Sequence, residues 1–534
     1  MAERWTVGCY LVELLAANGI DTVFGIPGVH TLELYRGLAA TGMRHILVRH
    51  EQGAGFAADG YARVSGRPAA AFVISGPGLT NVLTPLAQAY SDSVPMLVVA
   101  STPARATLGK GWGVLHELRD QRALAAGAAG IAHTARSADD VCDHLRTIFA
   151  SFQGGRPRPA YLDIPLDLLA EPTTRRAERF PEGSSPPLPD PGGIAEAARW
   201  LSGATRPLII AGGGARAAGA QLRELAERLD AFVITTTAAK GVLPETHEAC
   251  LGASLPFPPL RELASSCDVV LAVGTELSET DLYFIQRLPL SGRLIRVDID
   301  PLKLADHYGA QLAIWGEAGA SLKAIAQLIE PRKGFRTQLG GASALRARAR
   351  FDGALDGPVR ACVRALQAIR AAVPMEGVVF GDMTQITYVG GYAFPVDRTD
   401  SWIAPSGYGT LGFAFPAALG AKVAQPARAV VALAGDFGLQ YTSQELATAV
   451  ELELSLPIVV WNNHALAQIR DDMQQAAIAP LGVVGRNPDF LALARAYGAD
   501  AVHASGPEAL TQALKAALAR KGPTLIEVFD TEFE

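Results

Sequence analysis

Short runs of apolar and β-branched residues alternate along the whole chain with longer stretches whose apolar residues recur at helical spacing. In the first third, AAAFVIS (69–75) and PMLVVAS (95–101) have the strand pattern, and TNVLTPLAQAYSD between them has the helical one. PLIIAGG, AFVITTT, DVVLAVG and RLIRVDID are the strand candidates of the middle third, and GVVFGD, AVVALAGD and PIVVWNN those of the last. Near-continuous apolar strands separated by helices belong to parallel sheets covered on both faces. Two stretches break the pattern: 173–193 (TTRRAERFPEGSSPPLPDPGG) and 330–357. They predict three α/β domains with parallel sheets flanked by helices, at 1–180, 190–335 and 355–534. No short-period repeat is visible, and the first and last thirds are candidates for one architecture used twice.

Composition adds little to the fold but removes several functions. With 534 residues, 49% hydrophobic and 19% charged, the chain can fill three or four cores and is not globally disordered. The net charge of −6, with no basic block, argues against nucleic-acid and anionic-membrane partners. Cys9, Cys142, Cys250, Cys267 and Cys362 form no C-x-x-C pair, so neither a zinc nor a redox motif is present. The scattered odd set fits buried thiols in a reducing compartment. The start, MAERWTVGCYLVELLAANG, reads as an amphipathic helix carrying Glu3, Arg4 and Glu13 rather than as a secretion signal. No uncharged apolar run reaches the roughly 18–20 residues of a membrane span. The expectation is a soluble, cytoplasmic protein.

Ligands of open parallel sheets sit at the carboxyl ends of strands, so polar residues there were weighed first. AVVALAGD ends in Gly435-Asp436, a helical stretch (TSQELATAVELEL) follows, and PIVVWNN ends in Asn462-Asn463. Asp436 and Asn463 are 27 residues apart, a fair length for one βαβ crossover. A carboxylate, a carboxamide and a loop carbonyl suit a hard divalent cation such as Mg²⁺, which takes further oxygens from phosphate and water. Backbone N–H groups at Phe437 and Gly438 suit an anion. Either half alone reads as a turn or a cap; together they read as a Mg²⁺-diphosphate anchor.

This span, GDFGLQ…NN, resembles the thiamine-diphosphate signature of the acetohydroxyacid synthase and 2-oxo acid decarboxylase superfamily. The resemblance covers nearly the whole chain. FGIPGVHTLELY, RHEQGAGFAADGYARVSG and SGPGLTN resemble its pyrimidine-binding domain, and GYGTLGFAFPAALGA its cofactor-bending segment. It implies a pyrimidine-binding, a central Rossmann-like and a diphosphate-binding domain, with thiamine diphosphate and Mg²⁺ as cofactors. It also implies a homodimer or homotetramer with active sites between subunits. Asp436, Asn463 and the Ala465 carbonyl would hold the metal, and Thr384, Gln385, Gly435, Phe437 and Gly438 the diphosphate. Phe437 departs from the usual Gly or Ala, so local packing must differ there. Asn81 would also lie at the cofactor. Glu51 would hydrogen-bond N1′ of the aminopyrimidine and stabilise the tautomer that takes the thiazolium proton. The alternative is a surface acid after a strand, but the setting LVRHEQGAGFAADGYA, a strand end entering a small-residue helix, argues against it. Leu411 would hold the cofactor bent, with the backbones of Gly409 and Leu411 at its pyrimidine. Pattern alone allows a core leucine in a Gly-rich turn.

On the substrate side, Val29-His30 resembles the Ala-His of benzaldehyde lyase-like enzymes, which makes His30 a candidate proton shuttle or polar contact. His116 falls where relatives have a Gln near the reacting carbon, and Glu117 follows it as a cap or substrate contact. Ile469 and Asp472 match substrate-facing positions. An acid at Asp472 suits a guanidinium, although Arg470-Asp471-Asp472 also reads as a solvated helical face. FGIPGVHTLELYRGL, LHEL and IRDDM together resemble the 5-guanidino-2-oxopentanoate decarboxylase branch. The reading is a non-oxidative 2-oxo acid decarboxylase. The alternative is an acetolactate-synthase-like or benzaldehyde-lyase-like carboligase, which captures the enamine with a second carbonyl compound. A nicotinamide dehydrogenase would rest on AGGGARAAG alone, and a non-catalytic paralogue is opposed by Glu51. The segments that hold FAD in acetohydroxyacid synthases are replaced here by LGASLPFPPL and VGTELSET, so FAD is not expected.

Overall fold

The computed structural model describes residues 5–533 apart from 182, 184, 283–284, 343–344 and 346–356. Glu3, Arg4 and much of the second break in the pattern lie outside the described residues. Three six-stranded sheets carry the fold. The first runs β2 (Arg44–Leu47), β1 (Thr22–Gly25), β3 (Ala69–Val73), β4 (Met96–Thr102), β6 (Ala160–Pro165), β5 (Ile131–Thr134). The middle one runs β12 (Leu312–Trp315), β11 (Arg293–Asp298), β10 (Val269–Val273), β7 (Pro207–Ala211), β8 (Phe232–Thr235), β9 (Cys250–Gly252). The third runs β14 (Trp402–Ile403), β13 (Val378–Gly381), β15 (Val430–Gly435), β16 (Pro457–Asn462), β18 (Thr524–Phe529), β17 (Asp500–His503). The described pairings are parallel. First and third sheets share one strand order, so one architecture is used twice. The middle sheet has the doubly wound order of a Rossmann-like domain.

Most of the predicted strands are buried at every residue, such as β3, β4, β15 and β16, although the predicted β11 opens on the exposed Arg293 and β6, equally buried, is not among the candidates. Helices on both faces leave no polar side to the strand. The edge strands β2 and β12 mix exposed and buried positions, and no apolar run announces them. All five cysteines are buried thiols outside any disulfide.

The described chain forms two compact units. One comprises 1–184, 379–384 and 407–529; the other comprises 185–378, 385–406 and 530–534. In the first, helix Glu51–Ser65 crosses helix Ala414–Ala424 with backbones in contact. A Cβ on Gly60 would overlap the Ala417 carbonyl, and one on Gly420 would overlap the Ala57 carbonyl. Only glycine fits either position. Arg63 closes the crossing with bonds to Asp59 (2.5 Å) and Asp92 (2.7 Å), all three largely buried, and its guanidinium lies over the Phe413 ring. In the second unit, AGGGARAAG becomes a 3₁₀ turn at Gly213–Ala215. Its glycines let the turn pack on the end of β10, where Gly214 N–H donates to the Gly274 carbonyl (3.0 Å).

Candidate active site

β15 and β16 are neighbours, with Gly435 opposite Trp461, so the residues that follow, Asp436 and Asn462, stand side by side at the strand ends. Both are buried. Asn487, from the loop before helix Phe490–Ala496, donates one amide to Asp436 Oδ2 (2.7 Å) and to Asn462 Oδ1 (3.0 Å). Asn462 in turn donates to Glu527 Oε1 (2.8 Å). Burial pushes the Asp436 carboxyl above its ordinary value, against the pull of Asn487. Asn463 is half-buried, and its side-chain oxygen accepts from Ala465 N–H (3.2 Å). A carboxamide oxygen has a second lone pair, so that bond leaves it able to meet a cation. Asn462, Asn487 and His464 also line an open cleft of about 750 Å³. Sequence reasoning missed Asn487. Its signal is a polar side chain before a Pro in RNPDF, 51 residues after Asp436.

Of the predicted diphosphate residues, Thr384, Gly435, Phe437 and Gly438 lie at the ends of β13 and β15. A Cβ on Gly435 would lie 3.1 Å from Thr384 Oγ1, and one on Gly438 would lie 3.1 Å from the Asp382 carboxyl. The two glycines thus leave backbone open beside Thr384. Gln385 opens helix Gln385–Ala393. The Phe437 ring takes up the space over Gly485, where a Cβ would sit 2.9 Å from Cζ. Asp382, passed over in the sequence, is fully buried and collects three backbone N–H groups: Met383 (2.8 Å), Gly412 (3.1 Å) and Ala414 (3.2 Å). Burial raises its carboxyl to about 6. It pins the turn that presents Gly409 and Leu411. On the other side Gln88 holds Thr410 through its N–H (3.3 Å) and hydroxyl (2.9 Å).

Glu51 is the first residue of helix Glu51–Ser65, with His50 as its cap. Asn81, expected at the cofactor, donates its amide to Glu51 Oε2 (2.9 Å), so the structure brings these two together. Directly before Glu51 a second buried acid takes hold of the backbone. Glu445 accepts the N–H groups of Arg49 and His50 (both 3.0 Å) and the Thr448 hydroxyl (2.8 Å), and it lies where a Cβ on Gly53 would go. Burial pushes its carboxyl up to about 7 from an ordinary 4.5. A raised carboxyl binds an extra proton in the folded state. Its stability contribution is therefore complete below pH 4.5 and is lost as pH rises to about 7. Glu445→Gln should remove up to about 3 kcal/mol of that slope in denaturant titrations between those pH values. It should also lower turnover by about tenfold or more, because the turn before Glu51 loses its anchor.

His30 follows β1 and is buried. Its Nδ1 lies 2.5 Å from Ser75 Oγ, and its ring meets that of His116 edge-on at 4.9 Å. Desolvation, then the His116 charge, lowers the His30 pKa. His116 has φ 63°, and its buried Nδ1 has no hydrogen-bond partner among the described residues. Val29, beside His30, is 64% exposed. Glu117 accepts from Gly111 and Gly113 N–H (both 2.9 Å), so it organises its own loop. Ile469 and Asp472 lie on helix Ala467–Gln475. Both are exposed, and Asp472 accepts from Gln468 (3.0 Å).

The sequence has known counterparts. Three family models match in chain order: the thiamine pyrophosphate enzyme N-terminal TPP binding domain over residues 5–124, the central domain over 194–325 and the C-terminal TPP binding domain over 382–528. The chain belongs to the thiamine pyrophosphate enzyme family, and it is a thiamine-diphosphate-dependent enzyme of the 2-oxo acid decarboxylase type. It is 49% identical over 531 residues to the probable 2-ketoarginine decarboxylase AruI of Pseudomonas aeruginosa, covering 98% of this chain and 94% of that protein. It is 30% identical over 545 residues to the acetolactate synthase isozyme 1 large subunit of Escherichia coli, covering 98% and 94%. Against the probable acetolactate synthase large subunit of Methanocaldococcus jannaschii the identity is 29% over 547 residues, covering 97% and 90%. Among the described residues no helix is long and apolar enough to cross a membrane.

Proposed function

We propose that the protein decarboxylates 5-guanidino-2-oxopentanoate without oxidation, using thiamine diphosphate and Mg²⁺, as a cytoplasmic homodimer or homotetramer. The observation that carries the substrate is the 49% identity to a probable 2-ketoarginine decarboxylase, that is, an enzyme named for the same guanidino acid. The Asp472 carboxylate supports it, since a planar guanidinium pairs with a carboxylate through two hydrogen bonds.

Bound thiamine diphosphate supplies a carbon nucleophile for the 2-oxo group and an electron sink as CO₂ leaves. The chain's own residues do the rest. Asp436, Asn463 and the Ala465 carbonyl hold Mg²⁺, while Asn487 braces the Asp436 carboxylate from behind. Thr384, Gln385, Phe437 and Gly438 take the diphosphate. Gly409 and Leu411 support the aminopyrimidine on the turn pinned by Asp382. Glu51 holds a proton at N1′, with its carboxyl oriented by Asn81. Of the domains at 1–180, 190–335 and 355–534, the first and the last divide these tasks.

The test is CO₂ release from 5-guanidino-2-oxopentanoate against pyruvate at equal concentration. A strong preference for the guanidino acid supports the reading. A preference for pyruvate with acetolactate formed supports the carboligase reading, which the 30% identity to an acetolactate synthase favours. Asp472→Ala should raise KM for the guanidino acid about tenfold or more and leave pyruvate nearly unchanged. Equal losses on both would end the guanidinium role.

A further inference from the structure

The neighbourhood of His30 gives a role to Ser75 at the end of β3. Ser75 follows β3 and is fully buried, and its hydroxyl has one hydrogen-bond partner among the described residues, His30 Nδ1 at 2.5 Å. A hydroxyl can donate or accept in such a contact. If Nδ1 carried the proton, the Ser75 hydroxyl hydrogen would be buried with no acceptor, the arrangement folded proteins avoid. With the hydroxyl donating, Nδ1 is the acceptor and the ring proton sits on Nε2. That nitrogen makes no hydrogen bond among the described residues. Protonating the ring a second time is opposed from two sides: burial, and the His116 ring edge-on at 4.9 Å.

We propose that Ser75 is a positioning residue that fixes the tautomer of His30, making His30 a neutral hydrogen-bond donor through Nε2 to the 2-oxo oxygen rather than a proton shuttle. The 2-oxo oxygen gains negative charge as its carbon is attacked, and a fixed N–H donor stabilises that charge without giving up its proton. The inference rests on the 2-oxo acid reading for the identity of the acceptor, but the tautomer itself does not.

The first test is therefore made on resting enzyme without substrate. Histidine is labelled with ¹⁵N, and the His30 signals are assigned by their loss in His30→Gln. The expected result at neutral pH is a neutral ring with the proton on Nε2, and a mixture of tautomers in Ser75→Ala. A proton on Nδ1, an imidazolium, or a tautomer unmoved in Ser75→Ala would overturn the proposal. The second test is kinetic, on whichever 2-oxo acid releases CO₂ fastest. His30→Gln keeps an N–H donor but cannot relay protons, and should stay within about tenfold of the parent, whereas His30→Ala should lose about 100-fold or more. A Gln variant as poor as Ala would refute the donor role. The spectra are independent of which acid is turned over, so a failure of the substrate reading and a failure of this one are seen in different experiments.

Discussion

Glu51→Gln should lower turnover by about 10²–10⁴-fold, the usual range for losing a positioned acid–base group, while the protein stays folded. The substitution keeps the volume and the helix start, and an amide oxygen can still accept from Asn81, which now donates to Oε2 at 2.9 Å. What it removes is the carboxyl proton exchanged with the aminopyrimidine. The assay is CO₂ release under saturating cofactor beside a thermal melt. Near-normal turnover would remove Glu51 from the chemistry. A large drop together with a collapsed melt would make it a structural residue instead.

Asp436→Ala should abolish Mg²⁺-dependent binding of thiamine diphosphate, read by calorimetry with and without the metal. Two losses coincide. The buried carboxylate that would ligate the cation disappears, and the Asn487 amide loses its 2.7 Å acceptor, which loosens its hold on Asn462. Unchanged affinity would dismiss the anchor. The two inactive variants also test the subunit arrangement. If Glu51 acts on cofactor held by the partner subunit, refolding Glu51→Gln chains together with Asp436→Ala chains should recover activity, because each mixed dimer then contains one intact site. A site built within one chain gives no recovery.

Chemistry at strand ends was legible wherever the strand itself was. β15 and β16 are buried along their whole length, so GD and NN stood out as polar residues ending apolar runs. The residues that were missed act across the fold. Asn487 sits in a loop 25 residues beyond Asn462, and only the folded sheet reveals what it touches. Glu445 lies within a stretch that reads as an ordinary amphipathic helix. Its partners are backbone N–H groups 395 and 396 residues away, which leave no trace in side-chain pattern. Asp382 reads only as the end of the strand candidate GVVFGD, for the same reason. Glu117 shows the converse. Its position beside His116 suggested a cap or a substrate contact, and in the fold the glycines before it place their N–H groups on its carboxylate. A loop of that composition needs an internal acceptor.

The glycine crossing of helices Glu51–Ser65 and Ala414–Ala424 has a consequence for synthesis. Gly60 and Gly420, which admit no side chain at the crossing, are separated by 360 residues of chain. At roughly 5–20 residues per second, the first helix waits about 20–70 s on the ribosome before its partner emerges. During that interval the glycine face of the first helix lacks its partner helix, and Arg63, though already able to pair with Asp59 and Asp92, lacks the Phe413 ring. The nascent chain therefore spends most of its translation as a half-finished interface, and chaperone supply and ribosome speed should govern the soluble yield of this enzyme more than the stability of the finished fold.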